Sequence, residues 1–178
     1  MFAGLLVVQD RSGPDRAVGP PVAPTTATPA AVPVRPGPIV TGGALTAGWA
    51  SEGWSWDSLV RTDSAGPGGV RAVAVTYQDP WGGFALRRDT APRPAADAVL
   101  RVRVHLAGPP GRIGLQVQSA DEGGTGPVVR RDVPSGRWVT LSVPVTQLRP
   151  PAGVRRVSVI AQNLPPGTTV WVSDVALG

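Results

Sequence analysis

Ala98 to Leu106 reads AVLRVRVHL. Leu100, Val102, Val104 and Leu106 alternate with Arg101, Arg103 and His105, a period of two that puts every apolar side chain on one face of a strand and every polar one on the other. The same rhythm recurs downstream. RIGLQVQ places Ile113, Leu115 and Val117 inside and Gln116 and Gln118 outside, and RWVTLSVPV, GVRRVSVIAQ and TTVWVSDVAL continue the pattern. Upstream, VRAVAVTY (Val70 to Tyr77) is a further strand, and the turn QDPWGG leads from it into Phe84-Ala85-Leu86. No helical period is sustained. Short half-buried strands separated by Gly/Pro turns predict an all-β, antiparallel β-sandwich or barrel.

The pattern holds from about Ile39 to Gly178, roughly 140 residues, enough to bury an independent core. Residues 1–38 read differently. Phe2 to Val8 is apolar but far too short to span a bilayer, and it fits the tail end of a signal or transmembrane segment, so that a membrane tether is expected through a segment upstream of or including residues 1–9. Ala17 to Pro38, AVGPPVAPTTATPAAVPVRPGP, has no period to bury and predicts a disordered, extended, polyproline-like spacer. A β-domain on such a stalk is expected outside the cytoplasm, secreted or membrane-anchored.

Composition removes several kinds of chemistry. The chain has no Cys, one His and two Glu, and all 17 of its basic residues are Arg. No nucleophile elbow, phosphate loop or paired metal-ligand motif occurs. A glycosidase would need two facing carboxylates, and although Glu52 with Asp57 or Asp121 can be nominated, nothing in the spacing pairs them. The protein is therefore expected not to be an enzyme. The net charge of +5 is carried by arginines scattered singly and in pairs, without the dense basic run of a nucleic-acid module, so no nucleic-acid partner is expected.

What remains is aromatic and polar surface. A sugar ring has an apolar C–H face and a rim of hydroxyls, so a binder needs a flat aromatic platform beside hydrogen-bonding side chains. In GWASEGWSW (Gly48 to Trp56), Trp54 and Trp56 are two apart and share a strand face, with core packing and ligand stacking both open to them. Trp81 follows Asp79-Pro80 and precedes Gly82-Gly83, a turn that favours an exposed ring, with folding back as a lid over the core as the alternative. Arg103 and His105 with Gln116 and Gln118 would form one polar patch if their two strands are neighbours. Trp138 and Trp171 sit within valine-rich strands and read as structural.

Together, the tryptophan pair, Val75-Thr76-Tyr77 with Trp81-Gly82-Gly83, Trp138 with Pro144-Val145, and Trp171-Val172-Ser173-Asp174-Val175 resemble bacterial extracellular jelly-roll domains of the galactose-binding-like, carbohydrate-binding-module type. The resemblance implies a non-catalytic β-sandwich that binds a polysaccharide or cell-wall glycan, with Trp81, Trp54 and Trp56 stacking and Arg103, His105, Gln116 and Gln118 hydrogen-bonding. A structural or protein-interaction sandwich without a sugar site is the alternative. Such domains often hold a structural calcium through an acid near the first strand and one in the last. Here Thr41-Gly42-Gly43 stands at the first place, so Asp174 has no evident acidic partner and no cofactor is expected. Arginines at 101 and 103, where such domains often carry aromatics, point to an acidic glycan, because the guanidinium fork matches a carboxylate.

Overall fold

The computed structural model describes residues 37–53, 59–120, 124–150 and 152–178. Among these, twelve strands follow one another: β1 (Pro38–Thr41), β2 (Ala44–Leu45), β3 (Ala50–Gly53), β4 (Leu59–Ala65), β5 (Arg71–Tyr77), β6 (Gly83–Arg87), β7 (Val99–Ala107), β8 (Gly111–Gln118), β9 (Val129–Val133), β10 (Trp138–Pro144), β11 (Arg156–Gln162) and β12 (Thr168–Leu177). One turn of helix, α1 (Val145–Leu148), follows β10. The Trp54 and Trp56 pair, Asp57, Asp121 and residues 1–9 lie outside the described residues.

The strands form two antiparallel sheets. A five-stranded sheet runs β3-β6-β11-β8-β9. In the seven-stranded sheet β10, β7 and β12 are neighbours, and the far edge of the ten-residue β12 is shared, its first half by β5 and its second by β1. β4 adds outside β5 and β2 outside β1. The chain crosses between sheets after β2, β3, β5, β6, β7, β9, β10 and β11. This is an antiparallel β-sandwich, one of the two architectures that the alternation predicts, and of the jelly-roll type that the resemblance implies.

The core lies between the sheets. Leu100, Val102, Val104 and Leu106 of β7 meet Ile113, Leu115 and Val117 of β8 across it, all fully buried. Each such side chain contributes about 1.5–3 kcal/mol, which makes the inward faces the main source of stability. Tyr77 of β5 joins the two layers directly, its hydroxyl donating across the core to the carbonyl of Val159 on β11 at 3.0 Å.

One expectation is overturned by this arrangement. β7 and β8 are consecutive but belong to different sheets, because the Gly108-Pro109-Pro110 connection carries the chain from one layer to the other. Arg103 and His105 therefore face out from the seven-stranded sheet, and Gln116 and Gln118 from the five-stranded one. They do not form a common patch.

Candidate functional site

The turn between β5 and β6 is built by its sequence. The Asp79 carboxylate accepts from the Trp81 backbone N–H at 2.8 Å, and the Asp79 carbonyl accepts from the Gly82 N–H at 3.1 Å, while Pro80 presets the first central φ. The turn is fastened to the far end of β11, where Asn163 N–H reaches the Pro80 carbonyl at 3.0 Å and Ala161 N–H reaches that of Gly82 at 2.8 Å. With its backbone committed on both sides, the Trp81 ring projects outward. It is 57% exposed and is the exposed large hydrophobic residue among those described.

Beside the ring opens a cleft of about 700 Å³. Part of its polar lining comes from one row across three strands of the five-stranded sheet, where Gln162, Arg112 and Asp132 are in register, and Asn163 follows at the end of β11. Arg112 Nε donates to Asp132 Oδ1 at 2.9 Å, and Arg130 Nε donates to Gln162 Oε1 at 2.9 Å. Arg130 reaches across β8 because the residue opposite it is Gly114. A Cβ there would approach Gln162 Nε2 to 3.4 Å and Val128 to 2.6 Å. Arg137 lines the cleft from the β9–β10 turn, and Pro110, Val133 and Pro134 give it apolar surface.

The other expected site residues are engaged elsewhere. Gln116 donates to the Gly126 carbonyl at 2.8 Å and Gln118 to the Thr125 hydroxyl at 3.0 Å, so both hold the loop before β9. On the opposite face, His105 is 7% exposed rather than solvated. It lies in register with Trp138 on β10 and Trp171 on β12, meets the Trp138 ring edge-on at 5.4 Å, and leaves Nδ1 without a hydrogen bond. Arg103 stacks over Trp138 at 5.0 Å and pairs with Asp174 at 3.7 Å. Trp138 and Trp171 thus pack as structure, as their strands imply, but on the outer side of the sheet.

Asp174 is surrounded by donors: the Gly42 N–H at 3.2 Å, the Ser173 hydroxyl at 2.8 Å and Arg103. An amide N–H and a guanidinium satisfy a carboxylate but repel a cation, so these residues do not fit a structural calcium. Glu52, the nominated acid, is likewise held by Arg156 at 2.6 Å and Arg87 at 3.9 Å.

Solved structures of similar shape decide the fold type. A family 29 carbohydrate-binding module superposes with a TM-score of 0.54 at 19% identity, covering 79% of this chain and 86% of its own. A variant of such a module complexed with cellulohexaose matches equally well, at 20% identity over 79% and 88% of the two chains. The fold is a jelly roll. The same fold extends to a segment of an exo-β-agarase, with a TM-score of 0.60 at 10% identity over 82% of this chain and 25% of that one. No family model and no curated protein matches the sequence. Within this jelly-roll fold, Arg112, Arg130, Arg137 and Gln162 escaped sequence reading. Each belongs to a strand or turn whose outward residues look ordinary until register gathers them round Trp81.

Proposed function

We propose that the protein binds a polysaccharide non-catalytically through the Trp81 cleft. The observation that carries this reading is the large aromatic ring held in solvent beside a cleft lined by donors and acceptors. A flat apolar surface at the rim covers the C–H face of a pyranose, and Gln162, Asp132 and the arginines serve its hydroxyls. Solved modules of this fold include one complexed with cellulohexaose and one with mannohexaose, which supports the class of ligand. The ion pairs on Glu52 support a binding rather than a hydrolytic role. The Pro-rich segment 17–38 fits display outside the cytoplasm, and cell fractionation that recovers the protein only in the cytosol would refute that placement.

Affinity gels with the full chain against cellulose, xylan, mannan, β-glucan, pectate and peptidoglycan fragments test the function. At least one glycan should retard the protein, and Trp81→Ala should weaken that binding at least about tenfold, as truncating an aromatic anchor does, with an unchanged thermal midpoint. Retardation by none of the polymers, or retardation indifferent to Trp81→Ala, would remove the proposal.

A further inference from the structure

The cleft beside Trp81 carries Arg112, Arg130 and Arg137 against a single carboxylate, Asp132. Arg112 and Arg130 make their hydrogen bonds through Nε, to Asp132 and Gln162. Their terminal Nη atoms make no hydrogen bond, and the guanidinium of Arg137 makes neither a hydrogen bond nor an ion pair, among the described residues. All three side chains are exposed. Among its charged groups the cleft thus sets three guanidinium donors against one carboxylate acceptor, the arginines oriented or free to turn toward the space next to the ring.

A neutral sugar is a poor match for such a set. Its hydroxyls donate as well as accept, and every donor facing a guanidinium is wasted. A carboxylate accepts only, is planar, and takes the guanidinium fork two bonds at a time, with roughly twice the strength of a neutral hydrogen bond. Asp132 offsets one of the three positive charges, that of Arg112, and leaves the excess on Arg130 and Arg137. We infer that the Trp81 cleft selects a carboxylate-bearing glycan, one built with uronic acid residues, over a neutral glycan of the same backbone. This rests on the cleft being a sugar site at all. The arginines that carry it are not the pair on β7, since Arg103 is committed to Asp174 and Trp138 on the other sheet.

The test is calorimetry on the full chain with oligomers of galacturonic, mannuronic/guluronic and glucuronic type, each beside its carboxyl-reduced counterpart, and with a sulfated galactan, in 50 and 300 mM NaCl. At least one oligouronate should bind about tenfold or more tightly than its reduced form, and salt should weaken it several-fold by screening the charge. Arg137→Gln should weaken both oligomers, and should cost the oligouronate about tenfold more than it costs the reduced form. Equal binding of acidic and reduced oligomers, or an Arg137→Gln variant with undiminished uronate affinity, would overturn carboxylate selection while the sugar site stood. Equally tight binding of the sulfated galactan would overturn the carboxylate match and leave charge alone as the determinant. Failure of every oligomer, acidic or neutral, together with no retardation in gels, would remove the sugar site itself.

Discussion

Tyr77 is the chain's single tyrosine, and its hydroxyl is buried against the Val159 carbonyl. Burial holds its pKa above the ordinary tyrosine value, because the phenolate would lose its water without gaining a cation. The unfolded chain ionises this group at about pH 10 while the folded chain keeps it neutral, so stability is full below about pH 10 and declines as pH rises above it. With no Lys and no Cys, few other groups can obscure the effect. Alkaline urea titrations should show the decline in the wild type and a much flatter profile in Tyr77→Phe. At neutral pH the same substitution leaves a buried carbonyl short of a donor, and should cost about 1–2 kcal/mol, a fall in Tm of about 3–6 °C. The neighbouring feature of the sequence, the QDPWGG turn, reads the same before and after folding. Asp79 and Pro80 dictate a tight turn locally, and a tight turn with no side of its own to bury leaves Trp81 outside.

At the scale of elements, alternation foretold the inward faces of β7 and β8 because a period of two is a local property of extended chain. It misled at β12. Val170 and Val172 point inward, yet so do Val175 and Leu177, and the parity changes at Ser173, where the register with β7 slips. That bulge brings Asp174 onto the same outer side as Trp171 and so into reach of Arg103. The adjoining turn is as demanding. Gly43 has φ +77°, donates to the Ser173 carbonyl at 2.9 Å and accepts from Asp63 N–H at 3.1 Å, and a Cβ on it would lie 2.5 Å from the Ala72 backbone nitrogen. Gly42, next to it, has φ +54° but open space around it. Gly43→Ala should therefore cost about 2–5 kcal/mol from strain plus overlap, and Gly42→Ala only about 1–2 kcal/mol from the left-handed backbone. Urea midpoints at a constant m-value give both numbers.

For the whole molecule, the two outer faces divide the work. The seven-stranded sheet turns its aromatic residues to structure: Trp138 packs on His105 and Arg103 and donates from Nε1 to the Pro67 carbonyl at 3.2 Å. The five-stranded sheet and its end turns keep one ring free among the described residues, that of Trp81. Trp138→Ala should lower stability by about 2–3 kcal/mol and leave glycan retention unchanged, whereas Trp81→Ala should do the reverse. Thermal unfolding and affinity gels on both variants check the separation, and loss of retention in both would mean that the faces are coupled.

The sequence by itself determined the all-β class, the inward faces of β7 and β8 and the tight turn that carries Trp81. Each of these follows from spacing over a few residues. Sheet membership, the bulge in β12 and the gathering of Arg112, Arg130, Arg137 and Gln162 around that ring were decided only by the tertiary structure. A strand's outward residues do not record which strand will lie beside it, and Gly108-Pro109-Pro110 serves a hairpin or a crossing between sheets equally well. Which of the two forms depends on how two apolar faces close over one core. That choice put the expected Arg103 and His105 on one side of the sandwich and the ring they were expected to serve on the other.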